Sequence, residues 1–535
     1  MPFWKTNRFF SSFGKRPCSG IPARPLTTVL CFLIFTLAAS AEVTTTTDSC
    51  ANLAHVALPQ ATITLAQTVP AGGFQMPQEE TGGVGGVVHQ PNPQDDTSKL
   101  PAFCRIAATL SPSSDSAIRM ELWLPVSGWN HKYVGVSNMG WGGAIRYRSM
   151  LPVLASGYAL AANDTGHTGN SAEFAIGHPE KLIDFAYRAN HEMTLKAKAL
   201  IKSFYGSEPV HSIWIGCSLG GMQALMEARR YPDDYDGIIA GAPINPITLF
   251  NSSQLWPAWV NEKFPEGRIP GSKFTMIHEA VLKACATPIG QKQGFIDDPE
   301  VCNFDPASLL CKADDAPDCL TAPQVEQLRK LYAGPVNPRT HEQIFPGPPP
   351  GTESQWSQDG GLRPSGIAMT LYKYVVFQNP DWDWKTMDYD TAIAKAKTEI
   401  DPLLRVDANL NDFLNHGGKL MIYIGWTESH NPKELQEYYH QVLQNAGPGK
   451  ENQLRLFEVP GMNHCGGGAG CDSFEKLGTM DQWMTTGVAP EQITAAKMDH
   501  EKTVRTRPIC AYPKITRYKG SGNVDDASSF ICTMR

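Results

Sequence analysis

Short runs of aliphatic and β-branched residues recur along this chain, most of them followed by glycine and then by apolar positions at helical spacing. Tyr133-Val134-Gly135-Val136 and Tyr158-Ala159-Leu160-Ala161-Ala162 are two of them. His211-Ser212-Ile213-Trp214-Ile215 runs straight into Gly216, and Gly237-Ile238-Ile239-Ala240 follows one helix later. Leu420-Met421-Ile422-Tyr423-Ile424 and Leu454-Arg455-Leu456-Phe457 come much further on. Near-continuous apolar runs of this length read as strands buried on both faces, and Asp184 to Tyr205 reads as a crossover helix. Buried strands alternating with helices predict an α/β fold with a parallel, doubly wound sheet.

The rhythm breaks between Pro243 and about Leu404. That stretch carries Cys285, Cys302, Cys311 and Cys319 at short spacings and the run Phe345-Pro346-Gly347-Pro348-Pro349-Pro350-Gly351. Strand signals resume near Gly417. The simplest organisation is a lid domain, 245–404, inserted into a catalytic domain made of 42–244 and 405–535. No internal repeat is visible.

The N-terminus predicts export. Lys5, Arg8, Lys15, Arg16 and Arg24 precede the apolar core Val29-Leu30-Cys31-Phe32-Leu33-Ile34-Phe35, and Ala39-Ser40-Ala41 is a small-residue cleavage site. A signal peptide over 1–41 is the expected reading. A retained anchor is the alternative, against which the apolar core is short for a bilayer. Glu42 to Asp48, with its threonine run, reads as an unstructured start.

Composition narrows the function classes. The chain has 535 residues, 42% hydrophobic and 19% charged, which is ordinary globular usage. Its net charge is −7 and it has no basic tract, so nucleic acid is not an expected partner. Of its 13 cysteines, Cys18 and Cys31 fall in the signal. No C-x-x-C pair occurs, which argues against zinc ribbons and thioredoxin-like chemistry, and an oxidising compartment favours disulfides among the rest. Their number is odd, so at least one stays free.

Gly216-Cys217-Ser218-Leu219-Gly220 fits G-x-S-x-G after an apolar strand and before the helical run Met222 to Arg230. A nucleophile on a tight strand-to-helix turn needs small residues two positions away on either side. The turn lifts the Ser218 hydroxyl above the sheet edge, and the Leu219 amide faces a developing oxyanion. An ordinary glycine-rich turn is the alternative. The base of such a site follows the last strand, where Gly461-Met462-Asn463-His464-Cys465-Gly466-Gly467-Gly468 stands. Cys217 precedes the expected nucleophile and Cys465 follows the expected base. If Ser218 and His464 touch, these two sulfurs come within bridging reach.

Cysteine–serine with histidine–cysteine resembles the tannase and feruloyl esterase family, which also contains the bacterial hydrolase of mono(hydroxyethyl) terephthalate. The resemblance extends to Ser137-Asn138-Met139-Gly140-Trp141-Gly142-Gly143, Asn163-Asp164-Thr165-Gly166-His167, Gly241-Ala242-Pro243 and Gly417-Gly418-Lys419-Leu420. It implies an α/β-hydrolase core, a lid over the active site and hydrolysis of esters of aromatic acids. It also implies that the Gly140 loop supplies a second oxyanion amide. Cys285 would pair with Cys302, Cys311 with Cys319 and Cys510 with Cys532. Cys50 and Cys104 remain as N-terminal candidates and Cys471 as the odd thiol.

The chain departs from the family twice. An aspartate in a Gly-Trp-Ala-Asp stretch is matched here by Gly425-Trp426-Thr427-Glu428. The third triad member must accept a hydrogen bond from histidine Nδ1, which glutamate can do if the backbone absorbs its extra methylene. Glu428 is the expected orienting acid, with Asp407 and Asp412 as alternatives. Three aspartates of the family's calcium loop are matched by Ala286, Ile289 and Gln293. Calcium wants six to eight oxygens, several of them charged, so no metal and no cofactor are expected.

The resulting expectation is a secreted or periplasmic serine carboxylesterase that binds a small aromatic ester and needs no membrane anchor. An acyltransferase or lactone-processing enzyme on the same triad is one rival, and a non-catalytic binding protein on a decayed scaffold is the other. In the lid, Trp256, Trp259, Phe274, Tyr372, Tyr374, Trp382 and Trp384 are candidates to stack on a ring, though more often such residues are lid core. Arg363 and Lys373 are candidates to meet an acidic substrate. Asn163-Asp164-Thr165 and Asn251-Ser252-Ser253 have the form of glycosylation sequons.

Overall fold

The apolar runs come together as neighbouring strands, because strands without a polar face have to be covered on both sides. The computed structural model describes residues 46–77, 96–358, 361 and 363–535. The expected signal segment 1–41 lies outside the described residues. A helix, Thr46–Asn52, begins within the stretch read as unstructured, so that reading fails from Thr46 onward.

Along the chain come β1 (Ala61–Val69), β2 (Phe103–Leu110), β3 (Ile118–Pro125), β4 (Lys132–Val136), β5 (Gly142–Gly143) and β6 (Ala159–Asn163). They are followed by β7 (Gly169–Asn170), β8 (His211–Cys217), β9 (Gly237–Gly241), β10 (Lys419–Gly425) and β11 (Leu454–Val459). Apart from β5 and β7, which pair with each other, they form one nine-stranded sheet in the order β1-β2-β3-β6-β4-β8-β9-β10-β11. From β6 to β11 the pairing is parallel, in the register Val136–Ile215, Cys217–Gly241 and Gly425–Val459 at the strand ends.

The sheet is not wholly parallel as expected. The strands β1, β2 and β3 and the β3–β6 pair are antiparallel. The strand β2 alternates buried with half-buried positions, and β1 mixes half-buried with exposed ones. One-sided strands of this kind can extend a sheet by hairpins, whereas a parallel neighbour needs a helix over the face. Two further hairpins near the C-terminus were also not anticipated. They are β12 (Gln492–Asp499) with β13 (Lys502–Cys510), and β14 (Lys514–Tyr518) with β15 (Phe530–Met534). Their strands mix lysine, arginine and threonine with few aliphatics, so the apolar pattern does not announce them.

Strand β8 lies inside the parallel region, between β4 and β9. The expected crossover helix begins with a π-helical turn, Asp184–Arg188, and continues as Ala189–Tyr205, stopped by Gly206 in the left-handed region. Between β9 and β10 the chain adds helices, among them Ile247–Lys263, Phe274–Cys285, Ala322–Ala333 and Tyr389–Lys395, and no strand of the main sheet. Part of this segment has its own apolar cluster around Phe274, Ile277, Val281, Val325 and Leu328. The rest shares the main core through Phe250, Trp256, Tyr372 and Tyr389, and Thr45–Arg535 form one compact unit.

Among the described residues five disulfides are formed: Cys50–Cys104, Cys217–Cys465, Cys285–Cys302, Cys311–Cys319 and Cys510–Cys532. Cys471 is free and buried, and burial pushes its thiol up to about 11, so it is no ready nucleophile. Both sequon asparagines are buried: Asn163 donates to Asn190 Oδ1 and Asn251 to the Ile247 carbonyl. Neither amide is open to a glycan in the folded chain.

The loop closed by Cys285–Cys302 is held by polar contacts within it and from Arg507. Thr287 donates to Asp297 at 2.6 Å, and Arg507 donates to Gln293 Oε1 at 2.9 Å. A guanidinium therefore takes an oxygen at one of the family's three ligand positions, and Ala286 and Ile289 bring no side-chain oxygen. This donor set does not fit calcium. Among the described residues, no group of three or more His, Cys, Asp and Glu side chains is arranged to hold a metal ion. Excess EDTA is expected to leave the melting temperature unchanged in differential scanning fluorimetry. A drop of several degrees, restored by calcium, contradicts this reading of the loop.

Candidate active site

Strand β8 ends at Cys217, and the helix Leu219–Arg230 starts one residue later. Ser218 bridges them with φ 65° and ψ −121°, a conformation that costs a non-glycine residue about 1–3 kcal/mol. The surroundings fix it there. Its amide donates to the Gly241 carbonyl at 2.9 Å, and its own carbonyl accepts from the Gly221 and Met222 amides. A Cβ at Gly216 would stand 2.5 Å from Ser137 Oγ, and one at Gly220 would stand 2.5 Å from Ser137 Cβ. The two flanking glycines of the motif are thus a packing requirement of the turn. Leu219 is the first helical residue, where backbone amides lack intrahelical acceptors.

The loop after β11 carries His464. The strand ends at Val459, Gly461 takes φ 72°, and the Asn463 amide bonds the Gly467 carbonyl at 3.2 Å, folding the segment into a tight knot. Cys465, with φ 66°, is bonded to Cys217 with the two Cα atoms 5.9 Å apart. Ser218 and His464 are each one residue from this bond, so elements separated by 248 residues are held side by side.

The loop after β10 carries Glu428. Trp426 N donates to the Val459 carbonyl at 3.0 Å and Thr427 N to the Met462 carbonyl at 2.9 Å, which lays this loop along the histidine loop. A Cβ at Gly425 would overlap the Met462 carbonyl, so the approach depends on glycine there. Glu428 is buried, and its Oε2 accepts a hydrogen bond from His464 Nδ1. The His464 side chain is 37% exposed. Desolvation favours the neutral imidazole, but the charge and hydrogen bond of Glu428 outweigh it and raise the pKa above the ordinary value. Asp407, one alternative acid, is committed elsewhere, accepting from Arg229 at 2.8 Å. Asp412 lies in the short helix Asn411–Asn415, and Glu428 is the acid on His464 Nδ1.

Several polar residues without a sequence-assigned role hold the Gly140 loop. Asn138 donates to the carbonyls of Ala144 and Asn163, both at 2.9 Å. His167 Nε2 donates to the Trp141 carbonyl at 2.9 Å, and burial lowers this imidazole's pKa to about 4, keeping it neutral. Trp141 stacks on Phe185 at 4.6 Å and donates to the Ile367 carbonyl. Gly140 itself has φ 55°. Asn138 and His167 lie inside the two resemblance motifs, which was the available signal. Gln355 had none: it donates to Asn463 Oδ1 at 2.8 Å and to the Thr427 carbonyl, bridging the acid and histidine loops from the inserted segment.

The aromatic residues singled out in the insertion mainly pack against one another. Trp256 stacks on Trp259 and donates to the Lys330 carbonyl, and Tyr372 donates to the Thr248 carbonyl. Phe274 meets Trp356, Trp382 lies over Phe377, and Trp384 and Tyr374 each have a lysine ammonium over the ring. Lys373 is the cation over Tyr374. A hydroxyl on a strained turn, an imidazole oriented by a carboxylate and a pinned glycine loop can together perform acyl transfer through a covalent intermediate.

Comparison with known proteins places the chain among esterases. Residues 104–533 match the family described as tannase and feruloyl esterase. An uncharacterized esterase of Xanthomonas campestris pv. campestris is 35% identical, over 94% of this chain and 94% of its own length. A protein of Aspergillus oryzae named "Probable feruloyl esterase B-1" is 31% identical, over 82% of this chain and 85% of its own. The crystal structure of feruloyl esterase B from Aspergillus oryzae superposes with a TM-score of 0.81 at 29% identity, covering 91% of this chain and all of that one. The protein is a carboxylic ester hydrolase with an α/β-hydrolase fold, and it belongs to the tannase and feruloyl esterase family.

Proposed function

We propose that this chain is a secreted or periplasmic serine esterase that hydrolyses esters of aromatic acids through an acyl-enzyme on Ser218. The observation that carries the reading is the Cys217–Cys465 bond, which joins the neighbour of a strained Ser218 to the neighbour of an imidazole hydrogen-bonded to Glu428. The relatives named as feruloyl esterases supply the substrate class. Five disulfides fit an oxidising compartment, and no helix among the described residues is long and apolar enough to cross a membrane.

In this mechanism His464 takes the Ser218 proton as Oγ attacks the ester carbonyl. The new oxyanion is met by the Leu219 amide and by the Gly140 loop that Asn138 and His167 hold in place. A preorganised donor of this kind is worth about 3–4 kcal/mol in the transition state. The imidazolium, stabilised by Glu428, gives its proton to the leaving alcohol oxygen. His464 then takes a proton from water, which attacks the acyl-enzyme and releases the acid. Glu428 performs the orienting task despite its extra methylene, which speaks against a decayed scaffold. The segment 245–404 acts as a lid, with Gln355 tying it to both catalytic loops.

Ser218→Ala is expected to lower kcat on an aryl ester by roughly 10⁴-fold or more with the fold retained, and full residual activity contradicts the assignment. Glu428→Gln is expected to lower kcat about 10³–10⁴-fold. Its pH profile carries a sign. The imidazole must be neutral to accept the Ser218 proton, and the Glu428 charge raises its pKa, so losing that charge moves the acid limb of kcat/KM to lower pH. A limb that stays in place removes Glu428 from the triad. Among substrates, methyl ferulate, methyl gallate, chlorogenate or a terephthalate monoester is expected to exceed ethyl acetate in kcat/KM by at least about tenfold, as ring burial requires. Preference for the acetate rejects the aromatic acid class.

A further inference from the structure

Two residues beyond Glu428 stands His430, fully buried, and its environment differs from that of a packing histidine. Its Nε2 lies 3.1 Å from Glu434 Oε2, and its Nδ1 is buried with no hydrogen-bond partner. On Glu428, Oε2 is occupied by His464, while Oε1 is also buried and without a partner. Unpartnered buried polar atoms are costly, so two of them two residues apart call for a common explanation. Phe250 and Phe345 pack at 5.0 and 5.8 Å from the His430 ring and offer no hydrogen bond of their own.

The protonation states set the direction of the contact. Burial lowers the His430 pKa to about 4, against the opposing pull of Glu428 and with a further push from His464, so the ring is neutral. Burial, reinforced by Glu437 and opposed by Arg405, holds Glu434 well above the ordinary carboxylate range, which favours its protonated form. A carboxylic acid beside a neutral imidazole donates to it. With Glu434 as the donor to Nε2, the ring proton sits on Nδ1.

We propose that His430 is a positioning residue for the triad: its Nδ1–H, set by Glu434 donating to Nε2, supplies through one bridging water the hydrogen bond that Glu428 Oε1 lacks. This rests on the reading of Glu428 as the triad acid. The hydrogen bond fixes a carboxylate on a side chain one methylene longer than the family's aspartate, and it moderates the basicity that Glu428 presents to His464. No proton leaves the pair during turnover. The effect is orientation and charge, exerted through Glu428.

Three variants of the full-length protein test this on an aryl ester. His430→Phe removes the donor and is expected to lower kcat about 10–100-fold, with KM nearly unchanged. Its kcat/KM acid limb is expected to move to higher pH, because an unbridged Glu428 is the stronger base toward His464. His430→Gln returns an amide donor and should recover part of both effects. Glu434→Leu should reproduce the His430→Phe defect in weaker form. Wild-type kcat and an unmoved limb in His430→Phe overturn the proposal, as does a kcat loss that glutamine fails to relieve. If Glu428→Gln is itself nearly as active as wild type, the triad reading fails; if it is crippled while His430→Phe is not, only the present proposal fails. Should His430→Phe not fold, ¹⁵N-histidine spectra of the wild-type protein decide. Nδ1 protonated at neutral pH supports the proposal, and Nε2 protonated overturns it.

Discussion

The Cys217–Cys465 bond joins the end of β8 to the loop that follows β11, two stretches 248 residues apart. Sheet pairing alone brings them only into the same layer, because β9 and β10 lie between the two strands. The loop that carries His464 is long, glycine-rich and partly exposed, so its conformational entropy in isolation is large. A covalent link at the residue next to the histidine removes most of that freedom where aim matters. The glutamate loop is then laid against the histidine loop by two backbone hydrogen bonds and by the absence of a side chain at Gly425.

The same logic extends outward. Ser218 occupies a costly backbone conformation, and its strain is sustained by the buried helix behind it and the Gly241 carbonyl beside it. The Gly140 loop is held by Asn138, by a neutral His167 and by Trp141, which reaches the Ile367 carbonyl in the inserted segment. Gln355 reaches back from that segment to the acid and histidine loops. Core and insertion thus share the task of fixing three loops, in keeping with the single compact unit they form.

Much of this was legible in the sequence, for physical reasons that differ by region. Parallel strands announce themselves as uninterrupted apolar runs, and β4, β6, β8, β9, β10 and β11 were readable within a few residues. The antiparallel edge and the C-terminal hairpins were not, since strands with one uncovered face alternate weakly and resemble loops. At the site, a short motif with a steric reason behind it drew attention to Ser218, the place after the last strand and the neighbouring Cys465 to His464, and the family resemblance to Glu428. Gln355 and His430 stayed hidden: a lone polar residue in a helical insertion, or beside a loop, has no periodicity or spacing that marks its partner. Their contacts arise only once the insertion and the β10 loop are folded against the core.

The replacement of aspartate by Glu428 and the replacement of acidic loop residues by Ala286, Ile289 and Gln293 have different consequences. At the loop the chemistry changes, because Arg507 and Thr287 organise what a divalent cation would otherwise hold. At Glu428 the contact is kept, because a carboxylate oxygen still accepts from His464 Nδ1. The most direct measurement of the proposed serine mechanism is peptide mapping by mass spectrometry after reaction with a fluorophosphonate. We predict one adduct per chain, on the peptide bearing Ser218, forming more slowly as pH falls through the pKa of His464. An adduct on another serine, or none in protein that still hydrolyses an aryl ester, would contradict it.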